Sequence, residues 1–464
     1  MPNTMIDPDF SIPLASLRKN FQSGLTRSYE WRRRQLQALK QALAEHEEEI
    51  HAALYADLKK SPEEAYATET GLLLAEINVA LKKLRKWMRP RSVGTNLVNL
   101  PSSSRIYRDP LGVVLIIAPW NYPFQLSFIP LIGAIAGGNC AVLKPSEMAP
   151  ATSAVILKII GRIFPSDYIL ALEGEGSAIV PALIRSFRFD HIFFTGSIPV
   201  GRAIYQLAAA DLVPVTLELG GKSPAMVERD ADLRTAARRI AVAKFANAGQ
   251  TCVAPDYLLL HVDIKDKFLR ILKETILHFY GEKPEESYSY GKIINEQRFD
   301  KLLSYLSQGR IFSGGGHDRK RLFIAPTVLE EVALDAPLMR EEIFGPLLPV
   351  FTFHNLEEAL AIIRLNPDPL SAYLFTRDTH KERAWIEQLP FGGGCINNAG
   401  WHFANHHMPF GGVGNSGLGS YHGKYSYKAF THAKAIMKTS NHIDPDLKYP
   451  PFKGKLKWFK WFIR

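Results

Sequence analysis

The 464-residue sequence predicts an α/β protein made of two doubly wound domains. Its length exceeds what one ordinary hydrophobic core serves. Short continuous apolar runs alternate with segments suited to helices, the pattern of parallel strands covered on both faces. The alternation pauses at Gly220-Gly221 and then resumes, which puts a domain boundary there. Hydrophobic residues at 46% and charged residues at 22% are ordinary for a packed chain, so disorder is not the starting expectation.

Residues 15–88 read as helices joined by short turns. Trp31, Leu36, Leu39, Leu43, Ile50 and Leu54 fall near helical spacing, and Leu72, Leu73, Ile77, Leu81 and Leu84 repeat the pattern. Polar and turn-forming residues dominate 90–110, an extended connector or an excursion. Strands are expected at 112–118 (GVVLIIA), 140–143 (CAVL), 168–172 and 191–194 (HIFF), with helices around 126–137, 150–163 and 178–187. The apolar stretch 214–219 runs into the paired glycines. After them come strands at 225–228, 257–261, 347–353, 372–376 and 394–397, and helices at 231–246, 265–280, 355–365 and 379–389. Ligands of such sheets bind at the carboxyl ends of the strands, so chemistry is sought in those loops.

Three cysteines, Cys140, Cys252 and Cys395, are too few and too scattered for a disulfide framework or a zinc site. A reducing compartment and no metal are expected. The net charge is +10, but six of the surplus cations (Lys448, Lys453, Lys455, Lys457, Lys460 and Arg464) lie after residue 447, where there is no acid. The remaining +4 is spread over the body, which is therefore not read as a nucleic-acid binder. Charges and prolines occupy the N-terminus where an export signal needs an apolar core, and no apolar run approaches a bilayer span. A cytoplasmic location is expected.

Cys252 lies in Gly249-Gln250-Thr251-Cys252, after a helix expected to end at the Ala248–Gly249 turn. A lone cysteine reads first as a buried inert thiol. The flanking Gly and Thr give a tight turn instead, which exposes a side chain and frees backbone N–H groups for an oxyanion. Glu218 ends the 214–219 strand, where an acid is costly unless paired or used. It either caps the Gly-Gly turn or serves as a general base. Asn121, after Pro119-Trp120 at the end of the 112–118 strand, is a turn former or an amide aimed at developing negative charge. Thr195-Gly196-Ser197 closes another strand and opens a helix, whose N-terminus suits a pyrophosphate, although no GxGxxG is present. Lys144-Pro145-Ser146-Glu147 closes a neighbouring strand with a cation and an acid suited to ribose hydroxyls or phosphate.

In this order the motifs PWNYP (119–123), LKPSE (143–147), FTGS (194–197), ELGGKSP (218–224), GQTC (249–252), EEIFGP (341–346) and PFGGVGNSG (409–417) resemble the aldehyde dehydrogenase superfamily. The resemblance runs from the N-terminal helices to about residue 451. GQTCVAPDY around Cys252, GSYHGK at 419–424 and KYPP at 448–451 resemble its class 3 branch, which includes fatty- and aromatic-aldehyde dehydrogenases. The resemblance implies an aldehyde dehydrogenase-like fold, with a dinucleotide-binding domain at 1–94 and 112–219 and a catalytic domain at 220–419. It further implies a small β oligomerisation element at 95–111 and 420–445, leaving 446–464 as a basic aromatic tail, and a homodimer.

It also implies roles. Cys252 is the nucleophile, Glu218 activates the hydrolytic water, and Asn121 with the Cys252 N–H holds the oxyanion. Lys144 and Glu147 hold the adenine ribose, Gly196-Ser197 lies against the pyrophosphate, Glu342 holds the nicotinamide ribose and Phe344 flanks the nicotinamide. Ile117, Ala118, Pro119, Trp120, Ser146, Thr195, Leu219 and Gly220 complete the cofactor groove. The expected reaction is oxidation of an aldehyde, medium- or long-chain aliphatic or aromatic, to the acid through a cysteine thioester. Glu147 favours NAD, while Lys144 leaves NADP open. The loop 401–407, rich in histidine and aromatics, is idiosyncratic and bears on the substrate. A CoA-acylating enzyme and a non-catalytic protein on the same fold are the competing readings; Glu218 argues against the first and the full motif set against the second.

Lys453, Lys457, Lys460 and Arg464 fall at spacings of four, three and four, one face of a helix. Leu456, Trp458, Phe459, Trp461, Phe462 and Ile463 cover much of the rest. This is the pattern of an interfacial helix on an anionic membrane, and equally of a tail that is solvated or packed on a dimer partner. A peripheral position at the inner membrane surface is the alternative location that the tail raises.

Overall fold

The computed structural model describes residues 10–463. The N-terminal residues 1–9, whose charges and prolines argued against an export signal, and Arg464, the last cation of the tail face, lie outside the described residues.

Helices α1 (Ser11–Gln22), α2 (Tyr29–Glu45), α3 (Glu47–Leu58), α4 (Pro62–Ala65) and α5 (Gly71–Met88) open the chain, with a π-helical turn at Tyr66–Thr70. Side-chain oxygens start two of them: Ser28 accepts from the Trp31 N–H and Ser61 from the Glu64 N–H. Their apolar stripes, including Leu36, Leu39, Leu43, Ile50, Leu54, Leu73 and Ile77, are buried in the first of two cores.

Strands β1 (Arg91–Val93) and β2 (Ser103–Pro110) precede the first large sheet, which is formed by β3 (Val113–Ile117), β4 (Cys140–Lys144), β5 (Ile169–Ala171), β6 (His191–Thr195) and β7 (Val215–Glu218). These five run parallel in the order β7-β6-β3-β4-β5. Every residue of β3, β4 and β6 is buried, as a sheet covered on both faces requires. The crossovers are α6 (Pro123–Gly137), α7 (Pro150–Ile163), α8 (Gly176–Ser186) and α9 (Ile198–Ala209). Helix α6 is apolar on all sides and wholly buried between the sheet and the N-terminal helices.

The second sheet takes up β8 (Pro224–Val227), β9 (Tyr257–His261), β10 (Arg310–Ser313), β13 (Thr327–Glu330), β14 (Leu347–Phe353), β15 (Ser371–Phe375) and β16 (Gly393–Ile396) in the order β10-β13-β14-β9-β8-β15-β16. It is parallel except at β10. Helices α10 (Leu233–Phe245), α11 (Lys265–Tyr280), α12 (Glu296–Tyr305), α13 (Pro337–Arg340), α14 (Leu356–Arg364) and α15 (Thr379–Gln388) accompany it, and a ribbon of β11 (His317–Asp318) and β12 (Phe323–Ile324) stands beside it. This sheet encloses a separate core.

The chain then returns to the first half. The short β17 (Gly417–Leu418) pairs antiparallel with β7, and α16 (Lys424–Ala429) packs on α6. Strand β18 (Thr431–Lys438) pairs with β2 over eight residues in a three-stranded sheet, β1-β2-β18. The tail carries a last helix, α17 (Leu456–Phe462). Among the described residues, no helix is long and apolar enough to cross a membrane.

Candidate active site

The loops that leave β3 and β7 at their carboxyl ends bring Asn121 and Glu218 to the turn containing Cys252. That turn is shaped by backbone sterics. Helix α10 ends at Phe245, earlier than the expected Ala248–Gly249 stop, because Asn247 (φ 52°) and Ala248 (φ 51°) are left-handed. Gly249 follows at φ 76° and lies directly against the backbone of Gly345 and Pro346, so a Cβ there would overlap the Gly345 carbonyl.

Hydrogen bonds fix the turn from several sides. The Gln250 side-chain amide donates to the Asn247 and Lys292 carbonyls (3.0 and 2.9 Å) and accepts from the Ile294 N–H (3.0 Å). The Tyr122 and Thr251 hydroxyls meet at 2.7 Å, and the Tyr373 hydroxyl donates to the Val253 carbonyl at 2.6 Å. Cys252 itself is half-buried and unbridged. Burial pushes its thiol well above the ordinary range, and the negative charges of Glu342 and Glu218 add to that effect.

Glu218 is the last residue of β7 and is buried, yet neither carboxyl oxygen has a hydrogen-bond partner. The turn-capping reading is therefore not realised by its side chain; its backbone carbonyl accepts from the Gly196 N–H instead (3.0 Å). Burial raises this carboxyl well above its usual value, so it holds a proton far more readily than an exposed glutamate. Glu342 reaches the same place from the segment between α13 and β14 of the second sheet. Its carboxyl lies against Gly220, where a Cβ would collide with it. Burial, with Asp256 nearby, pushes it up to about 8.

Asn121 is buried just ahead of α6. Its amide donates to the Gln250 carbonyl (3.1 Å), two residues before Cys252. The Asn121 carbonyl accepts from Lys60 Nζ (2.9 Å) and from the Asn247 amide (2.8 Å). Lys60 in turn pairs with Glu69 at 2.6 Å, both fully buried, and Glu69 also accepts the Phe124 and Gln125 N–H groups at the start of α6. The neighbouring Trp120 ring meets Phe344 edge-on at 5.2 Å. Phe344 is itself left-handed, with φ 50°.

The expected cofactor groove runs away from this cluster. Ile117 and Ala118 are buried, and the Ala118 N–H donates to the Lys144 carbonyl (3.0 Å), joining the loops after β3 and β4. Lys144 pairs with Glu147, which also accepts the Gly176 N–H at 3.1 Å. Burial alone would raise the Glu147 carboxyl, but Lys144 and that N–H outweigh it and hold the group below the usual range. Ser146 is buried, its hydroxyl accepting from the Met148 N–H. The Thr195 hydroxyl is buried without a partner. Exposed Ser197 precedes α9 and makes no side-chain cap, which leaves a helix N-terminus for an outside anion. Leu219 underlies this corner, in contact with Gly201 of α9. An orphaned hydroxyl, an uncapped helix start and a lysine–glutamate pair suit a dinucleotide.

The structure thus brings together Asn121, Glu218, Cys252 and Glu342 in one region and places Lys144, Ser146, Glu147, Thr195, Gly196 and Ser197 at the carboxyl ends of β4 and β6. Sequence reasoning missed the supports. Lys60 and Glu69 carry no motif; one lies in the connector after α3 and the other in the π-helical turn. Asn247 and Gln250 flank the cysteine but read only as turn residues. Lys222 and Asp256, a buried ion pair, sat inside two quoted motifs without being singled out.

Two doubly wound sheets with a half-buried cysteine and an unpartnered glutamate between them define an oxidoreductase of the dinucleotide-binding class. The sequence profile of the Aldehyde dehydrogenase family matches residues 14–436, and the chain belongs to that family. It is 46% identical to the 4,4'-diaponeurosporen-aldehyde dehydrogenase of Staphylococcus aureus, over 96% of this chain and 97% of that one. It is 45% identical to aldehyde dehydrogenase family 3 member H1 of Arabidopsis thaliana, over 96% and 93%. The structure of Staphylococcus aureus AldH in a substrate-bound state superposes with a TM-score of 0.95 at 45% identity, covering 98% of this chain and 99% of that one. Related solved structures hold NAD or NADP. The chain is therefore a family 3 type enzyme that oxidises an aldehyde to the carboxylic acid with reduction of NAD or NADP.

The Lys60–Glu69 pair yields the first test. Glu69→Ala strands a buried ammonium beneath Asn121, a change that costs ~3–5 kcal/mol in comparable buried pairs. The expected outcome is a clear fall in Tm by calorimetry, largely recovered in the doubly apolar Lys60→Met/Glu69→Leu protein. An unchanged Tm in Glu69→Ala removes the pair as the support of this loop.

Proposed function

We propose that Cys252 is the nucleophile, Glu218 the base and Asn121 the oxyanion donor. The observation that carries the reading is Glu218: a dry carboxyl with no partner, whose charge reaches the Cys252 thiol. Attack by sulfur on the aldehyde carbon gives a tetrahedral oxyanion, for which the Asn121 amide and the Cys252 N–H are the donors. When bound, the nicotinamide supplies the hydride acceptor. Departure of hydride from the carbon leaves a thioester on Cys252. Glu218, already inclined to take a proton, activates the water that releases the acid and regenerates the thiol.

The cofactor is assigned to 1–94 and 112–219, and chemistry to 220–419. Lys144 and Glu147 hold the adenine ribose, Glu342 the nicotinamide ribose, and Phe344 with Trp120 closes the nicotinamide side; Ile117, Ala118, Pro119, Ser146, Leu219 and Gly220 line the groove between them, and Thr195, Gly196 and Ser197 face the pyrophosphate. NAD is the preferred cofactor because the Glu147 carboxylate is held ionised to accept ribose hydroxyls, and NADP is the second. The resemblance to fatty- and aromatic-aldehyde dehydrogenases, with Phe403 and Cys252 packed against the same apolar core, supports a medium- or long-chain aliphatic or an aromatic aldehyde.

Two surfaces support assembly. Strands β16 and β18 are unpaired sheet edges, and β18 exposes Ile436 and Met437. The element at 95–111 and 420–445 is accordingly the reading for a homodimer contact. In the tail at 446–464, Leu456, Trp458, Trp461 and Ile463 are exposed beside the lysines, and α17 is too short to stand alone in water. These features support contact with an anionic lipid surface and a peripheral position at the inner face of the membrane.

Cys252→Ala should form no NADH from aldehyde. Asn121→Ala should lose about 10²–10³ in kcat, the usual cost of one oxyanion donor. Glu218→Gln should release one equivalent of NADH per site in a burst and then stall; steady turnover at the wild-type rate in either Cys252→Ala or Glu218→Gln overturns the assignment of that residue. Sedimentation equilibrium should give the mass of two chains, and a single-chain mass at micromolar concentration sinks the dimer. The full chain should co-sediment with phosphatidylglycerol vesicles and a version ending at Pro451 should not, equal binding being the failing result.

A further inference from the structure

Three segments that carry different parts of the proposed site meet at one buried ion pair, Lys222 with Asp256. Lys222 stands just beyond Gly220-Gly221, four residues after Glu218, and Asp256 stands four residues after Cys252. Neither takes part in the proposed chemistry. The desolvation cost of so dry a pair can exceed what its attraction returns, and apolar side chains of like volume often fill such a space as stably. The hydrogen bonds of the pair give it another use.

Both residues reach into the segment that bears Glu342. The Lys222 ammonium donates to the Leu338 carbonyl at 2.7 Å, and Asp256 Oδ1 accepts the Ile343 N–H at 3.0 Å. The two anchor points lie on either side of Glu342, and the second is its immediate neighbour. Arg298 of α12 adds bonds to the Ile343 and Phe344 carbonyls (2.9 and 3.4 Å). Glu341 is drawn to the surface by Lys301 (2.6 Å) and the Tyr305 hydroxyl (2.8 Å). Glu342 is left with its carboxyl turned onto Gly220, two residues before Lys222.

The two oxygens of Asp256 have separate duties. Oδ2 meets the Lys222 ammonium as an ion pair and has no hydrogen-bond partner, so Oδ1 alone grips the backbone beside Glu342. In a dry site that bond is not exchanged for one to water, and an N–H left without it is costly. We propose that Asp256 is a positioning residue for the cofactor: through the Ile343 N–H it holds the Glu342 carboxyl in place for the nicotinamide ribose. This rests on the assignment of Glu342 to that ribose. Lys222 supplies the counter-charge, and Asp256 acts through the backbone rather than on the cofactor itself.

Variants separate the two duties. Lys222→Met/Asp256→Asn removes both charges but keeps an Oδ1 acceptor for the Ile343 N–H. Lys222→Met/Asp256→Leu and Lys222→Met/Asp256→Ala remove charges and acceptor together. The measurement is the dissociation constant of NAD by tryptophan fluorescence on the full chain, with Tm by calorimetry beside it. The asparagine version should bind within about twofold of wild type, since the bond is kept. The leucine and alanine versions should bind ~tenfold more weakly, the order of one lost hydrogen bond, even where the leucine version melts with the asparagine one. Glu342→Gln should weaken binding at least as much, and combining it with Lys222→Met/Asp256→Leu should weaken it little further, because both changes remove the same contact. A purely structural role moves Tm without this non-additivity. Equal affinity in the asparagine and acceptorless versions, or full additivity with Glu342→Gln, overturns the role of Asp256 and leaves that of Glu342 standing. Wild-type affinity in Glu342→Gln overturns both.

Discussion

The whole site depends on one backbone contact across the two halves of the turn region: Gly249 lies so close to Gly345 that a single added carbon would part them. That contact fixes the Cys252 turn against the segment bearing Glu342 and Phe344. The same segment then reaches back to the first sheet, with Glu342 on Gly220 and Phe344 on Trp120. Asn121, Glu218 and Cys252 are therefore held on one assembly although they lie far apart in the sequence. The irregular backbone this demands, three consecutive left-handed residues at 247–249, is held by the side chains of Gln250 and Asn247 rather than by regular structure.

Dryness is the second shared constraint. Burial acts on Cys252, Glu218 and Glu342 in the same direction, toward the protonated form. Each group is thus neutral until chemistry or a partner calls out its charge. The effect on Glu218 is unopposed, since no donor touches it, and this suits a group that must take up a proton. Burial pushes the Glu69 carboxyl the same way, but Lys60 and the Phe124 and Gln125 N–H groups oppose it, and the paired, bonded groups serve to fix the Asn121 loop. The comparison separates structural charge from working charge by hydrogen-bond saturation alone.

Much of the fold was legible because buried parallel strands are continuous apolar runs; the expected strands at 112–118, 140–143 and 191–194 became Val113–Ile117, Cys140–Lys144 and His191–Thr195. The site was legible because the motif residues fall at the ends of those strands. Other parts left no trace. Strand β17 is two residues at the end of a glycine-rich motif and exists only because β7 offers an edge. Strands β10 and β13 have register broken near Ser313 and lie at or next to the sheet's rim, so no alternation announces them. The Lys60–Glu69 pair depends on tertiary burial that neither residue type encodes. The 401–407 loop became a short 3-10 turn whose His402 points inward to Ser371 and Cys395, a placement that composition cannot give.

The motifs also explain one another. Gly249 of one lies against the residue-345 carbonyl of another; Gly220 leaves room for Glu342; Gly201, after the 194–197 motif, leaves room for Leu219; and Gly176 closes on the Lys144–Glu147 pair. Gly249, Gly220 and Gly201 are each imposed by a side chain or backbone distant in the sequence. A single short motif specifies a turn and little else, because many turns accept glycine. Several motifs whose small residues are each demanded by the bulk of another can coexist only when their loops converge. That mutual steric requirement, more than any one catalytic side chain, is why their ordered recurrence along the chain marks a single constructed site.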